Sequence, residues 1–136
     1  MIIGITGEIG AGKSHYQIKH ALELCNKKKK RLVLNFKLNK LPTVKYCISR
    51  KLYWAAQVVQ NDQYQVLNCR DQQDVLRLLQ IPRSIVCLDE AGIFFNARGF
   101  KDTPKDLLYD LCQSRKNGAD LLWCAQFDGQ VDKQFR

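Results

Sequence analysis

The sequence predicts an α/β protein of three layers, with helices on both faces of a mostly parallel central sheet. Three observations carry that expectation. Short apolar runs alternate with helical patterns from the first residues onward, the signature of βαβ units. The run Met1-Ile2-Ile3-Gly4-Ile5-Thr6 leads directly into Gly7-Glu8-Ile9-Gly10-Ala11-Gly12-Lys13-Ser14 and then into a helical pattern. Strand, glycine loop and helix in that order form the context in which a G-x-x-x-x-G-K-[S/T] octet cradles phosphate. Finally, Ser84-Ile85-Val86-Cys87-Leu88 is an apolar run closed by Asp89-Glu90. A strand buried on both faces reads this way, and its carboxyl end is where open α/β sheets bind ligands. Together these features specify the P-loop NTPase form of the fold.

The residue types in the loop follow from what phosphate requires. Glycines let the backbone turn tightly and point successive N–H groups inward as an anion nest. The following helix adds its partial positive charge. The octet Gly7, Glu8, Ile9, Gly10, Ala11, Gly12, Lys13 and Ser14, with His15 behind it, is the candidate nucleotide-binding set. Lys13 would reach the β- and γ-phosphates of ATP, and Ser14 would share Mg²⁺ with Asp89. Glu90 would orient or deprotonate the attacking water. The competing readings are a glycine-rich turn before an amphipathic helix, and an Asp-Glu pair that merely caps a turn.

Composition limits the setting. A chain of 136 residues is one domain, large enough to bury a core without staples. Its net charge is +9, from 22 Lys and Arg against 13 Asp and Glu. Such a balance favours polyanionic partners, whether nucleic acid, nucleotide or an anionic membrane surface, unless it serves solubility alone. The six cysteines (25, 47, 69, 87, 112 and 124) form no C-x-x-C pair, and His15 and His20 offer no metal spacing with them. A disulfide framework is not expected, and the chain suits a reducing compartment. The start lacks a basic n-region, and no run approaches the roughly 18 apolar residues of a membrane span. The expectation is a cytoplasmic domain.

Taken in order, the first helix is expected over His15 to Cys25, followed by the basic run Asn26-Lys27-Lys28-Lys29-Lys30-Arg31. Lysines near a helix C-terminus complement its dipole, and such a run reads first as a solvated face, second as a patch for nucleic acid or lipid headgroups. Leu32 to Phe36 is the second strand. From Lys37 to Asp62 the pattern is weak. Pro42 marks a loop, and Ile48 to Gln60 carries a helical stripe of Leu52, Trp54, Ala55, Ala56 and Val59. Tyr53 and Trp54, beside Arg50 and Lys51, can stack on bases, but aromatics in such a stripe more often fill a core. Tyr64 to Asn68 is a short strand. Asp71 caps a helix through Leu79, with Val75, Leu76, Leu78 and Leu79 inside, and Ile81-Pro82 ends it. After Asp89-Glu90, a loop runs from Ala91 to Lys101. A helix from Pro104 to Lys116 stops at Asn117-Gly118. Asp120 to Gln126 is a further central strand, and Asp128 to Arg136 a turn and helix start.

The stretches Ile85 to Arg98 (containing D-E-x-G-x-x-F-N-x-R), Arg115-Lys116-Asn117-Gly118-Ala119-Asp120, and Val131-Asp132-Lys133-Gln134, with the glycine loop ahead of them, resemble the assembly ATPase of filamentous bacteriophages. That protein is grouped with the zonula occludens toxin family. The resemblance spans the chain except residues 37–80. It implies a P-loop fold of the additional-strand class, related to ring-forming DNA translocases, in which the strand ending in Gln126 lies between the P-loop strand and the Asp89-Glu90 strand. Gln126 would then sense the γ-phosphate, and Arg115, ahead of Arg98, would be the finger lent to a neighbouring subunit. The implied partners are further copies in a ring, six by the family's analogy, single-stranded viral DNA and other phage assembly proteins. The host inner membrane is implied only indirectly. Family members usually continue into a membrane span and periplasmic tail, and a further strand of the fold would normally follow Arg136. The chain is therefore expected to be a truncated product or a compact variant.

Two other functions compete with the ATPase module. A small nucleotide or metabolite kinase would need a lid bearing several arginines, where Ala91 to Lys101 offers only Arg98. A non-catalytic nucleotide switch would not need Lys13, Ser14, Asp89 and Glu90 all intact.

Overall fold

The computed structural model describes residues 2–8, 10, 12–70, 72–91 and 118–126. Along the chain these form β1 (Ile2–Thr6), α1 (Lys13–Lys28), β2 (Arg31–Leu34), α2 (Lys40–Ser49), α3 (Tyr53–Gln60), β3 (Gln65–Val66), α4 (Gln72–Leu79), β4 (Ser84–Leu88) and β5 (Asp120–Ala125). The strands build one sheet in the order β1-β5-β4-β2-β3, every neighbouring pair parallel. The strand that ends before Gln126 thus lies between β1 and β4, as expected. The expected loop and helix between Ala91 and Lys116, with Arg98 and Arg115, and the segment from Asp128 fall outside the described residues.

Apolar alternation in the central strands feeds two cores. Val33, Val86, Leu88, Leu121 and Trp123 face α4 with Val75 and Leu78. Leu32, Leu34, Ile85, Cys87 and Leu122 face α1, α2 and α3 through Ala21, Leu22, Cys47, Ala55 and Val59. Every residue of β4 and β5 is buried, as a continuous apolar run predicts. β1 departs from that pattern. Gly4 and Thr6 are exposed and the rest only half-buried, because among the described residues β1 pairs on one side alone, with β5. Gly4 stands opposite Trp123, and a Cβ there would overlap the indole ring. Glycine lets this large ring lie across the edge strand.

Between β2 and β3 the structure corrects the weakest expectation. Two helices replace one, and Pro42 lies in the first turn of α2, where proline removes no helical hydrogen bond. The break falls at Arg50 to Leu52. Lys51 is left-handed at φ 61°, and the Leu52 N–H donates to the Cys47 carbonyl at 2.8 Å. α3 then starts against α1, its Trp54 and Ala55 N–H groups donating to Asn26 Oδ1 at 3.0 and 3.3 Å. This docking turns Ala55, Ala56, Val58 and Val59 inward and leaves Tyr53 and Trp54 60% and 43% exposed. The two aromatics are not core residues.

α1 begins at Lys13, two residues earlier than expected, and runs to Lys28. It ends on left-handed Lys29, whose N–H donates to the Cys25 carbonyl. Part of the basic run is structural. Lys28 and Lys30 both reach Asp120 Oδ2, at 3.0 and 2.9 Å, and Lys30 also donates to the Gly118 carbonyl at 2.7 Å. These contacts tie the turn after α1 to the start of β5. No disulfide forms among the described cysteines, Cys25, Cys47, Cys69, Cys87 and Cys124. Burial pushes the Cys25 and Cys47 thiols up to about 11, so both stay protonated. Among the described residues no helix is long and apolar enough to cross a membrane.

Burial alone would raise the pKa of Asp120, but the hydrogen bonds from Lys30 and Lys28 outweigh it and hold the carboxyl below its ordinary value. A depressed folded-state pKa contributes stability that is whole above the unfolded value of about 3.9 and lost as pH falls through the folded value. Asp120→Asn is expected to lower the unfolding free energy at neutral pH by about 2–3 kcal/mol, less than a fully buried pair because the lysines can relax into water. Urea unfolding at neutral and acid pH checks this. The difference from the parent should shrink once the carboxylate is protonated.

Candidate functional site

The parallel sheet brings the ends of β1, β4 and β5 to one edge, and the candidate site is assembled there. Gly10 and Gly12 take left-handed φ values of 83° and 84°, with open space where a side chain would stand. This geometry favours glycine and leaves the loop free to wrap an anion. Ile9 and Ala11 lie outside the described residues. The Tyr16 N–H donates to the Gly12 carbonyl, closing the first turn of α1. The amides of Lys13, Ser14 and His15, one turn earlier, have no carbonyl within the helix to bond.

Lys13 Nζ donates to the carbonyls of Gly7 and Glu8, at 2.8 and 3.2 Å, so the ammonium is folded over the loop. The Gly7 N–H donates to the Gln126 carbonyl at 3.2 Å, fastening the start of the loop to the end of β5. Ser14 Oγ donates to Asp89 Oδ2 at 3.2 Å, joining two residues far apart in sequence. The other Asp89 oxygen accepts the Glu90 N–H at 3.0 Å. Glu90 itself is exposed and left-handed at φ 55°, a conformation that disfavours a side chain by roughly 1–2 kcal/mol. A cleft of about 470 Å³ is lined by Gly10, Gly12, Lys13, Ser14, His15, Ile18, Asp89 and Glu90. A smaller apolar cavity of about 230 Å³ adjoins it between α1 and α2, sharing His15 and Ile18.

These residues fit a triphosphate and a hard divalent cation. The cleft has the size of a small-molecule site. Its donors to an anion are the ammonium and the free amides of the helix start, and its oxygens for a cation are the Ser14 hydroxyl and the Asp89 carboxylate, which suit Mg²⁺. Of the residues expected from sequence, Gly7, Gly10, Gly12, Lys13, Ser14, His15, Asp89 and Glu90 gather here. Glu8 is exposed on the loop, its carbonyl held by Lys13. Gln126 is exposed at the same edge, one residue beyond β5. Arg115 and Arg98 lie outside the described residues.

Two side chains that hold the site were not foreseen. Asn35, at the end of β2, grips the backbone of Asp89 from both sides. Its Oδ1 accepts the Asp89 N–H at 2.8 Å and its Nδ2 donates to the Asp89 carbonyl at 3.1 Å. The signal was a polar residue closing an apolar strand run, Leu32-Val33-Leu34-Asn35. Gln17 is fully buried under α1, and its Nε2 donates to the carbonyls of Leu122 and Leu88 at 2.7 and 3.2 Å. Its trace in the sequence is a polar residue on the inward stripe with Ala21 and Cys25. Beneath Lys13, burial pushes the Cys124 thiol up to about 12, nearby Asp89 adding to the effect, so it stays protonated. Its Sγ lies 3.7 Å from the Lys13 carbonyl.

A family model described as zonular occludens toxin matches residues 1–136. Solved structures share the fold. The genome packaging NTPase B204 from Sulfolobus turreted icosahedral virus 2, in complex with AMPPCP, is similar at 19% identity and TM-score 0.63, covering 98% of this chain and 68% of that one. Its complex with AMP gives 20% and 0.62, over 98% and 69%. The N-terminal domain of zonular occludens toxin from Neisseria meningitidis is similar at 21% identity and TM-score 0.58, over 100% of this chain and 73% of that one. At these identities the likeness shows the fold, that of a P-loop NTPase. A comparison with curated protein sequences finds no significant match.

Asn35 fixes the backbone of a candidate metal ligand without lining the cleft, so its effect should depend on the metal. Asn35→Ala is expected to weaken binding of an ATP analogue roughly tenfold when magnesium is present, the usual scale for losing a group that orients a metal ligand. Metal-free binding should stay within about twofold, because the phosphate donors are untouched. Calorimetry with and without magnesium separates the two. Equal losses in both would mean that Asn35 serves only the fold.

Proposed function

The chain belongs to the zonular occludens toxin family, and from that premise we propose that it is the ATP-hydrolysing module of a phage assembly and export motor. In this reading it drives single-stranded viral DNA out of the host cell as filamentous virions form. The observation that carries the proposal is the meeting of Lys13, Ser14, Asp89 and Glu90 around one cleft, with Ser14 Oγ 3.2 Å from Asp89. The packaging NTPase of similar fold has been solved with nucleotides, AMP and AMPPCP, which supports nucleotide as the ligand class.

The chain's residues divide the work. The amides of the glycine loop and of the start of α1 bind the β- and γ-phosphate oxygens, and Lys13 exchanges the Gly7 and Glu8 carbonyls for phosphate. Ser14 and Asp89 would hold Mg²⁺, which when bound would supply neutralisation of the charge on the phosphates. Glu90 orients a water and takes its proton as the water oxygen bonds to the γ-phosphorus. The bond from that phosphorus to the β–γ bridging oxygen breaks, and its electron pair leaves with ADP. The products are ADP and inorganic phosphate. Gln126, at the end of the strand between β1 and β4, is suited to sense the γ-phosphate at this edge. Arg115 from a neighbouring copy, in preference to Arg98, would complete the site in a ring. The module would act on the cytoplasmic side of the host inner membrane with other phage assembly proteins.

Two substitutions separate binding from chemistry. Lys13→Ala should abolish binding of an ATP analogue in calorimetry with the fold intact by circular dichroism. Glu90→Gln should bind ATP normally and lose at least roughly a hundredfold in turnover. Unchanged binding in the first, or retained turnover with a phosphorylated acceptor in the second, would overturn the assignment, the latter in favour of a kinase.

The ring has its own test. An arginine lent by a neighbour is typically worth about 10³–10⁵ in rate, so activity should rise more than linearly with protein concentration. Arg115→Ala should remove that rise without weakening ATP binding. Mixing it with Lys13→Ala should partly restore turnover, because the second chain can still lend its arginine. Rates strictly proportional to concentration, with no rescue, would place the complete site within one chain.

A further inference from the structure

The C-terminal end of α1 lies about 24 Å from the glycine loop, at 1.5 Å per residue along its 16 residues. A second surface is built there. Lys27 and Lys29 are exposed at the end of α1, and Arg50 and Lys51 are exposed at the break between α2 and α3. The docking of Asn26 onto the first amides of α3 brings these segments together. That contact also sets Trp54 under Lys29, whose Nζ stands 5.0 Å from the ring centre. Tyr53, beside it, is 60% exposed. A shallow cavity of about 400 Å³ runs along the break past Arg50, Lys51 and Leu52, with Glu23 as the acid on its wall.

Two features distinguish this patch from an ordinary solvated face. Lys28 and Lys30 of the same run are committed to Asp120, whereas Lys27 and Lys29, alternating with them, are exposed. The two exposed rings also start a helix whose apolar face is already buried. We propose that this surface, made by Lys27, Lys29, Arg50, Lys51, Tyr53 and Trp54, binds single-stranded nucleic acid, the cations taking phosphates and the rings taking unstacked bases. It extends the motor reading by placing a contact for the polymer, and rests on that reading only for why a motor needs one.

Cations and rings share this surface, with Lys29 against the Trp54 ring, and that mixture suits a polymer that alternates phosphate and base. A duplex keeps its bases stacked and offers the rings nothing. An anionic bilayer fits less well, since a helix lying in an interface needs a whole apolar face to bury. α3 spends its apolar face on the core, and the Lys29 ammonium resting on Trp54 would have to be dehydrated with the ring.

Binding of the 136-residue chain to a labelled oligothymidylate of about 16 nucleotides, followed by anisotropy, tests the proposal. Tryptophan emission gives a second readout, because Trp54 is exposed and Trp123 is buried at 2%. Oligonucleotide should quench the exposed fluorophore. Trp54→Leu should weaken binding roughly five- to hundredfold, the range for one base-stacking aromatic. The more exposed Tyr53→Leu provides an independent check should Trp54→Leu fold poorly. Arg50→Gln with Lys51→Gln should reduce the log–log salt slope by about 1.4 for two lost phosphate contacts. Parent-like binding by the variants would overturn the proposal. So would equal affinity for polyphosphate, which has no bases, or sedimentation with phosphatidylglycerol vesicles that depends on Trp54 while oligonucleotide binding does not. Calorimetry with an ATP analogue on the same sample keeps the two readings apart. Nucleotide binding without oligonucleotide binding defeats only this proposal, and the converse defeats only the motor reading.

Discussion

The position of α1 over β5 and β4 is the constraint on which the carboxyl edge depends. Gln17 sets that position with two hydrogen bonds to strand carbonyls, from a side chain with no exposure. An apolar residue would pack there at lower desolvation cost, since Gln17 Oε1 is buried with no hydrogen-bond partner among the described residues. Burying such an oxygen unpaired costs about 1–3 kcal/mol, which the two bonds from Nε2, at about 0.5–1.5 kcal/mol each, do no more than offset. What the amide adds is direction. Apolar packing resists separation of helix and sheet but permits small slides, whereas a hydrogen bond fixes the axial setting within tenths of an ångström. Lys13 and Ser14 stand one turn above Gln17, so their reach to the glycine loop and to Asp89 inherits that setting.

The opposite wall of the cleft is fixed by a different device. Asp89 leaves β4 just where sheet hydrogen bonding stops, and its backbone would be free to turn without Asn35. The Asn35 amide replaces the missing ladder with one bond to the N–H and one to the carbonyl. Glu90 can then hold a left-handed φ that few side chains adopt, because the residue before it is anchored on both sides. Strain of this kind persists only where surrounding contacts over-determine it. The result is an Asp aimed at Ser14 and a Glu turned out to the cleft from adjacent positions.

The sequence made the sheet and much of the edge legible because both are written in local patterns. Continuous apolar runs announced β4 and β5, and the glycine octet announced the turn into α1. Placing β5 between β1 and β4 came from a family resemblance and not from any pattern in the strands. Asn35 and Gln17 stayed hidden for a related reason. Their partners are carbonyls and amides of strands distant in sequence, so their roles appear only once strand order is known. The region from Lys37 to Asp62 failed locally. Pro42 reads as a breaker unless the helix is known to start at Lys40, and Leu52 to Val59 carries an apolar stripe without showing that the chain bends at Lys51. Misplacing that bend put Trp54 in the core.

The basic run after Asn26 shows why composition alone could not assign the +9 charge. Cations at the end of α1 are favourable for the helix whatever else they do, since they face the negative end of its dipole. Two of them, Lys28 and Lys30, are further drawn to Asp120 and lock the turn into β2. Their binding to Asp120 leaves Lys27 and Lys29 on the outer side of the same turn. Lys29 is held there by its left-handed backbone and by the ring of Trp54. The geometry that stabilises the turn therefore also sorts its charges, inward ones paired with Asp120 and outward ones displayed. The same helix thus presents positive potential at both ends, through its free amides at the glycine loop and through lysine side chains at the far end. A polyanion and a triphosphate can be held by one rigid element without competing for the same groups.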